Sequence, residues 1–229
     1  MWREKLKNKR KNLKSSIFIV NKLYLFMIFI LLSIVDWSLA VYTFFSYVVI
    51  YILHILTRRL PIENKGEFEY ITRTYKKVDG EELKMDIWYP NQSRKEYPLV
   101  LFAHGGGWIS GFRNQPNNIS WCKYLASNGF VAASIDYRFG IKNEMDDLLA
   151  DYDDALKFLK FHGREFKICP KKIILMGLSA GGHLSLLFAS YYSYMQDKDR
   201  MEGICGVVGY YAPSDLTDLL SHEGLQQSR

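Results

Sequence analysis

The sequence predicts an α/β protein, in which a mostly parallel sheet carries helices on both faces and follows an N-terminal transmembrane helix or helical hairpin. Three observations lead to this prediction. Short apolar strands alternate with helical segments, the strands are apolar throughout rather than at every second residue, and a basic leader precedes a long apolar stretch. Strands that are buried on both faces form continuous apolar runs of this kind. A ligand site is expected where the strands end, at their carboxyl ends.

Composition excludes several classes of protein. The chain has 229 residues, of which 48% are hydrophobic and 24% charged, so it is neither disordered nor collagen-like. Residues 1–22 hold eight basic residues and one acidic residue, whereas the rest of the chain is nearly neutral. The rest of the chain therefore has no positive electrostatic field that would attract a polyanion, and no nucleic-acid partner is expected. Three widely spaced cysteines predict neither a disulfide framework nor a metal site.

The N-terminal part is expected to attach the protein to a membrane, with the lipid bilayer as a partner. Residues 1–22 form the basic leader, residues 23–58 the transmembrane segment or segments, and residues 62–229 the folded domain. The run from Trp37 to Leu56 has 20 residues and no Asp, Glu, Lys or Arg, which is long enough to cross a bilayer as a helix. The N-terminus is expected on the cytoplasmic side, because basic flanking residues stay there.

Two membrane arrangements remain open from the sequence. In a helical hairpin, Asp36 lies at the turn and Arg58 and Arg59 return to the cytoplasm. In a single span, the domain that follows is exported instead. A cleaved signal peptide is a third and less favoured interpretation, based on the small residues around Ser38-Leu39-Ala40. The side of the membrane on which the folded domain lies therefore stays open.

The folded domain is expected to begin with an antiparallel hairpin, made of Glu67–Val78 and Leu83–Tyr89 around Asp79-Gly80. Parallel strands and helices then alternate along the chain. The expected strands are Pro98–Ala103, Phe130–Ile135, Lys172–Met176 and Ile204–Tyr210, and the expected helices are Trp121–Asn128, a segment after Asp146 and Gly181–Tyr194. The aspartates of the middle helix, Asp146, Asp147, Asp151, Asp153 and Asp154, are expected on a solvated face rather than in a metal cluster.

Ser179 is the predicted nucleophile. It is the serine of a G-x-S-x-G motif, with Gly177 before it and Gly181 after it, placed between a strand and a helix as that motif requires. A serine on so sharp a turn needs glycines at both positions, because side chains there would collide with backbone. The alternative is a glycine-rich turn that only packs helix on sheet. His183, one helical turn further on, is expected to pack rather than to react.

A second motif, His104-Gly105-Gly106-Gly107-Trp108, ends an earlier strand about 75 residues before the serine. Consecutive glycines leave backbone N–H groups free to point at a negatively charged oxygen. One such donor lowers the barrier of acyl transfer by about 3 kcal/mol. The alternative is a flexible glycine loop without a chemical role, which the presence of Ser179 makes less favoured.

Together the two motifs resemble those of α/β-hydrolase esterases of the hormone-sensitive-lipase and feruloyl/acetyl-esterase (BD-FAE-like) type, in which an HGGGW-like loop precedes G-x-S-A-G-G. The resemblance covers about residues 67–220 and implies an α/β-hydrolase sheet and a carboxylic ester hydrolase that uses no cofactor or metal. It implies an acetyl or short acyl ester as the small-molecule substrate. The residues it assigns are Ser179 as acyl nucleophile, the amides of Gly106, Gly107 and Ala180 as oxyanion hole, and His104, Gly105, Gly177 and Gly181 as support for the motifs.

The sequence departs from this family where the catalytic acid and histidine are expected. The family places both after the serine, on loops that follow two further strands. The sheet is therefore expected to be incomplete at its C-terminal edge and the chain to be truncated. Asp218 and His222 are candidates for the missing pair, but solvated loop residues are the favoured interpretation. Two functions stay open: a membrane-anchored, lipase-like serine esterase, and an inactive truncated hydrolase that acts as a non-catalytic membrane protein. The oligomeric state is not predicted.

Overall fold

The computed structural model describes residues 37–57 and 66–216, which belong to two separate units. In the first unit, helix α1 covers Trp37–Thr57 and so includes the whole apolar run from Trp37 to Leu56. Across the described ranges, no helix combines the length and the apolar character that crossing a membrane requires. The predicted transmembrane helix is thus not found among the described residues. The predicted basic leader, residues 1–22, and the first part of the predicted transmembrane segment, residues 23–36, lie outside the described residues.

The second unit is built on one six-stranded mixed sheet with the strand order β1-β2-β4-β3-β5-β6. Strands β1 and β2 form the predicted antiparallel hairpin, and β2 also pairs antiparallel with β4. Strands β4, β3, β5 and β6 run parallel to one another. The strands are β1 (Tyr70–Val78), β2 (Glu81–Trp88), β3 (Tyr97–Ala103), β4 (Val131–Ile135), β5 (Ile168–Leu178) and β6 (Ile204–Tyr210). The helices are α2 (Pro116–Ser127), α3 (Met145–Phe161), α4 (Ala180–Tyr194) and the short α5 (Lys198–Met201).

Strand β3 shows why the strands are apolar throughout. Leu99 and Leu101 face one core, which includes residues of α3 and α4, whereas Val100 and Phe102 face a second core, which includes residues of α2. All four side chains are at most 1% exposed. Helices therefore cover both faces of the sheet, and the predicted α/β architecture, consistent with an α/β-hydrolase sheet, is confirmed.

Helix α3 departs from the prediction in its aspartates. Asp151 is fully buried. Its Oδ2 accepts from Arg138 Nε at 2.9 Å, and its Oδ1 accepts from Arg138 Nη2 at 3.0 Å and from Lys76 Nζ at 2.7 Å. Asp153 is also buried, with Arg200 Nε at 2.9 Å. The expected solvated face is therefore wrong for these two residues, because cations from other elements reach over the helix and pair with them.

The topology places three loops at one edge of the sheet. Strands β3, β4 and β5 run in the same direction, so the segments that follow Ala103, Ile135 and Leu178 emerge together. These segments contain the HGGGW motif, the residues Asp136, Tyr137 and Arg138, and Ser179. The sheet therefore brings the predicted chemistry to the carboxyl ends of its strands.

Candidate active site

Ser179 lies on a sharp turn between β5 and α4. Its backbone has φ 48° and ψ −116°, a left-handed conformation that is uncommon for any residue other than glycine. The turn is held on both sides: the Ser179 N–H donates to the Tyr210 carbonyl at 2.9 Å, and its own carbonyl accepts from the His183 N–H at 2.9 Å. Backbone strain of this kind costs about 1–3 kcal/mol and is concentrated at functional sites.

The two glycines of the serine motif are required by close backbone contacts. A β-carbon at Gly177 would lie 2.2 Å from the carbonyl carbon of Gly181. A β-carbon at Gly181 would lie 2.3 Å from the carbonyl oxygen of Ala103, at the end of β3. The first contact lets α4 start directly against β5, and the second lets that helix pack against the neighbouring strand. Side chains at these two positions would therefore collide with backbone, as predicted from the sequence.

The HGGGW loop lies directly beside Ser179. A β-carbon at Gly105 would be 3.3 Å from the Ser179 β-carbon. Gly107 and Trp108 both adopt left-handed backbone conformations, with φ 61° and 62°. The Gly106 carbonyl accepts from the N–H groups of Ile109 at 3.2 Å and Ser110 at 3.1 Å, which closes the loop into a tight turn.

This turn leaves donors available next to the serine. In the part of the chain that the structure describes, the N–H groups of Gly106, Gly107 and Ala180 have no hydrogen-bond acceptor. These are the three amides that the resemblance assigns to an oxyanion hole. The loop and the start of α4 can therefore offer backbone donors to a negatively charged oxygen bound at the serine.

His104 is fixed inside the base of the loop. Its ring is fully buried and stacks on Tyr137 with 4.3 Å between the ring centroids, and its Nδ1 lies 2.8 Å from the Gly105 carbonyl oxygen. The Tyr137 hydroxyl donates to the His104 carbonyl at 2.6 Å. Burial lowers the pKa of His104, which favours the neutral ring. The side chain makes no hydrogen bond to Ser179 and shapes the loop instead.

Two further side chains lie near the loop. The sequence assigns no role to Arg113, and it predicts that His183 packs rather than reacts. Arg113 ties the end of the loop to the sheet, since its Nη1 lies 2.6 Å from Asp136 and its Nε 3.0 Å from Asp86. His183 is 8% exposed and meets the ring of Trp108 edge to face, with 5.4 Å between the centroids.

The structure does not show a base for Ser179. The described side chains of His104, His162 and His183 make no hydrogen bond to it. The candidate pair Asp218 and His222 lies outside the described residues. Within the described ranges, no group of three or more His, Cys, Asp or Glu side chains could hold a metal ion.

Comparison with known proteins identifies the family to which the chain is similar. The BD-FAE family model matches residues 85–229, which is more than half of the chain. A probable isoprenylcysteine alpha-carbonyl methylesterase of Oryza sativa subsp. japonica is 26% identical over 153 residues, covering 63% of this chain and 36% of that protein. A second probable isoprenylcysteine alpha-carbonyl methylesterase, from Arabidopsis thaliana, is 29% identical over 116 residues, covering 51% of this chain and 24% of that protein.

Among solved structures, a thermophilic esterase of the planctomycete Thermogutta terrifontis is 34% identical and superimposes with a TM-score of 0.50. The match covers 58% of this chain and 48% of that chain. The present chain thus spans about half the length of this esterase and about a third or less of the two plant methylesterases.

Proposed function

The chain belongs to the BD-FAE family, and from this premise we propose that it is a serine esterase, which hydrolyses short-chain carboxylic esters through an acyl intermediate on Ser179. One observation carries the proposal: Ser179 is held in a left-handed turn, directly beside a glycine loop whose amides have no acceptor among the described residues. A serine on a strand-to-helix turn with N–H groups free beside it is the arrangement that acyl transfer needs.

The chemistry follows from this arrangement. The Ser179 Oγ attacks the ester carbonyl carbon and gives up its proton, and the carbonyl oxygen becomes negatively charged. The N–H groups of Gly106, Gly107 and Ala180 bind that oxygen. Collapse of the tetrahedral intermediate breaks the bond to the alcohol, which leaves with a proton, and water then hydrolyses the acyl-serine to release the carboxylic acid.

A base must accept the serine proton, because an isolated hydroxyl is a poor nucleophile. We propose that this base lies outside the residues that the structure describes. In the given sequence the segment 217–229 contains one histidine, His222, and one aspartate, Asp218. Replacement of His222 therefore tests whether this chain supplies its own base.

The relatives support a small ester substrate. The two plant proteins are named as methylesterases, enzymes that release a small alcohol from a carboxylic ester. We therefore propose acetyl, methyl and other short esters as the substrate class of this chain.

We also propose that the N-terminal part places the esterase at a membrane, with the N-terminus in the cytoplasm. The basic leader and the two apolar runs of residues 23–35 and 37–56 support this location. Carbonate extraction of cell membranes tests it directly. The protein should stay in the pellet, whereas a version that begins at residue 62 should be released, and release of the full chain would contradict the proposal.

The catalytic proposal is tested by fluorophosphonate labelling of the full chain in its native membrane fraction. We expect labelling of the wild-type protein and of Ser190→Ala, an exposed serine on the same helix, but none of Ser179→Ala. Absence of labelling in the wild type would instead favour the non-catalytic membrane protein, and labelling that persists in Ser179→Ala would contradict the assignment of Ser179 as nucleophile. A strong decrease in His222→Ala would identify the base.

A further inference from the structure

The contact between Trp108 and His183 joins the two halves of the site. Trp108 is the last residue of the glycine motif, and His183 lies one helical turn after Ser179 on α4. Their rings meet at an interplanar angle of 90° with 5.4 Å between centroids. Edge-to-face pairs of this kind are favourable beyond the area they bury. The ring of His183 thus connects α4, the helix that follows Ser179, with the glycine loop.

Trp108 needs such support, because its backbone is strained. Its φ of 62° follows a glycine that is also left-handed, and a tryptophan rarely adopts this conformation. Its carbonyl is fixed by the Gly140 N–H at 2.7 Å. The carbonyl and the ring therefore hold Trp108 from two sides, directly after the amides of Gly106 and Gly107.

The contact between the two rings does not depend on a hydrogen bond. His183 Nδ1 and Trp108 Nε1 are both buried, and neither has a hydrogen-bond partner among the described residues. Burial also lowers the pKa of His183, so the ring packs in its neutral form. The ring of His183, rather than its charge or its hydrogen bonds, is therefore the feature that acts on Trp108.

We propose that His183 is a positioning residue for the glycine loop, which holds the amides of Gly106 and Gly107 beside Ser179 by packing its ring against Trp108. The proposal rests on the proposed function, since it gives the loop its role in binding the oxyanion. It makes a distinctive prediction. An aromatic side chain without nitrogen at position 183 should keep the loop in place, whereas a small side chain should not.

Hydrogen exchange of the full chain tests the position of the loop without requiring activity. The peptide that covers Gly105–Ser110 should exchange about tenfold faster in His183→Ala than in the wild type, because the ring contact restrains the opening of the loop. In His183→Phe the exchange rate should stay within about twofold of the wild type. Trp108→Ala removes the same contact from the other side and should speed exchange to a similar extent, and the double variant should add little.

His162→Ala is the matched control. His162 also packs among aromatic rings, with Phe158 at 4.3 Å and Phe166 at 5.7 Å between centroids, but it follows α3 and precedes β5, away from the carboxyl ends of the strands. Its replacement should leave exchange of the loop peptide unchanged. Loss of loop protection in His162→Ala would show that general loosening, and not the contact with Trp108, explains the result.

Reactivity of Ser179 with a fluorophosphonate adds a functional measurement. If the proposal is right, the second-order rate constant falls about tenfold in His183→Ala and is restored in His183→Phe. Unchanged loop exchange in both His183→Ala and Trp108→Ala would overturn the proposal, as would equal damage by the alanine and phenylalanine variants of His183. Absence of labelling in the wild type would refute the proposed function instead, and hydrogen exchange would still decide the role of His183.

Discussion

Gly177→Ala is the perturbation that best tests how closely the nucleophile turn is packed. The added β-carbon would lie 2.2 Å from both the carbonyl carbon and oxygen of Gly181, and 2.4 Å from the Gly182 nitrogen. Carbon atoms in contact are ordinarily about 3.5–4 Å apart. All three neighbours are backbone atoms, so no rotation of a side chain relieves the clash, and α4 must move away from β5 by more than about 1 Å.

We expect this movement to lower the free energy of unfolding by about 3 kcal/mol, at the upper end of the usual cost of overpacking a core. For a domain of this size that corresponds to a decrease in melting temperature of about 6–12 °C. The reactivity of Ser179 with a fluorophosphonate should fall by about a hundredfold, because displacement of α4 moves the serine relative to the loop.

Gly206→Ala is the control, since this glycine lies in the neighbouring strand β6. Its β-carbon would meet no atom closer than Ile174 Cγ1 at 3.9 Å, which is an ordinary contact. The unfolding free energy should stay within about 1 kcal/mol of the wild type or rise slightly. The measurement compares the two variants in urea unfolding and in fluorophosphonate labelling. If Gly177→Ala unfolds and reacts like Gly206→Ala, the inferred packing of the turn is wrong.

Two further predictions concern buried polar groups. Asp151→Asn leaves Arg138 and Lys76 facing a neutral side chain, and should lower the free energy of unfolding by about 3–5 kcal/mol. Asp154 pairs with the same lysine, but its side chain is 40% exposed. Asp154→Asn should therefore lower the free energy of unfolding by less than about 1 kcal/mol. Equal losses for the two variants in urea unfolding would contradict the inferred role of buried Asp151. Burial lowers the pKa of His104 below its ordinary value of 6.5. As the pH decreases through 6.5, the His104 ring is therefore protonated in the unfolded chain before it is protonated in the folded one, and the free energy of unfolding should fall. His104→Phe keeps the stack on Tyr137 and should flatten this part of the curve of unfolding free energy against pH, and an unchanged slope would show that other groups cause it.

The sheet was largely predictable because its strands carry a local signal. Strand β6 has the predicted bounds Ile204–Tyr210, and the hairpin of β1 and β2 forms around Asp79-Gly80. Helix α2 begins at Pro116, five residues before the predicted start, because proline is favoured in the first turn of a helix and the polar residues after it hide the apolar period. The position of β4 between β2 and β3 is set by long-range pairing, which a single sequence does not display.

The candidate site was predictable in its motifs but not in its supports. Gly177, Ser179 and Gly181 follow a pattern that the geometry of a strand-to-helix turn demands, so their residue types alone indicate the turn. The contact of His183 with Trp108 joins residues that are 75 positions apart, and neither periodicity nor composition marks it. The same holds for Asp151, whose burial depends on Arg138 and Lys76 from other elements.

The hydrogen bond from the Ser179 N–H to the Tyr210 carbonyl means that the six-residue serine motif is not a portable unit. The turn is completed by a carbonyl from the end of β6, and α4 starts in a space that β3 leaves open at Ala103. A protein engineer who grafts residues 177–182 onto another strand and helix would copy the sequence pattern but not the backbone angles of the serine. The graft would have to bring a parallel strand on each side, one to supply the acceptor and one to make room for the helix.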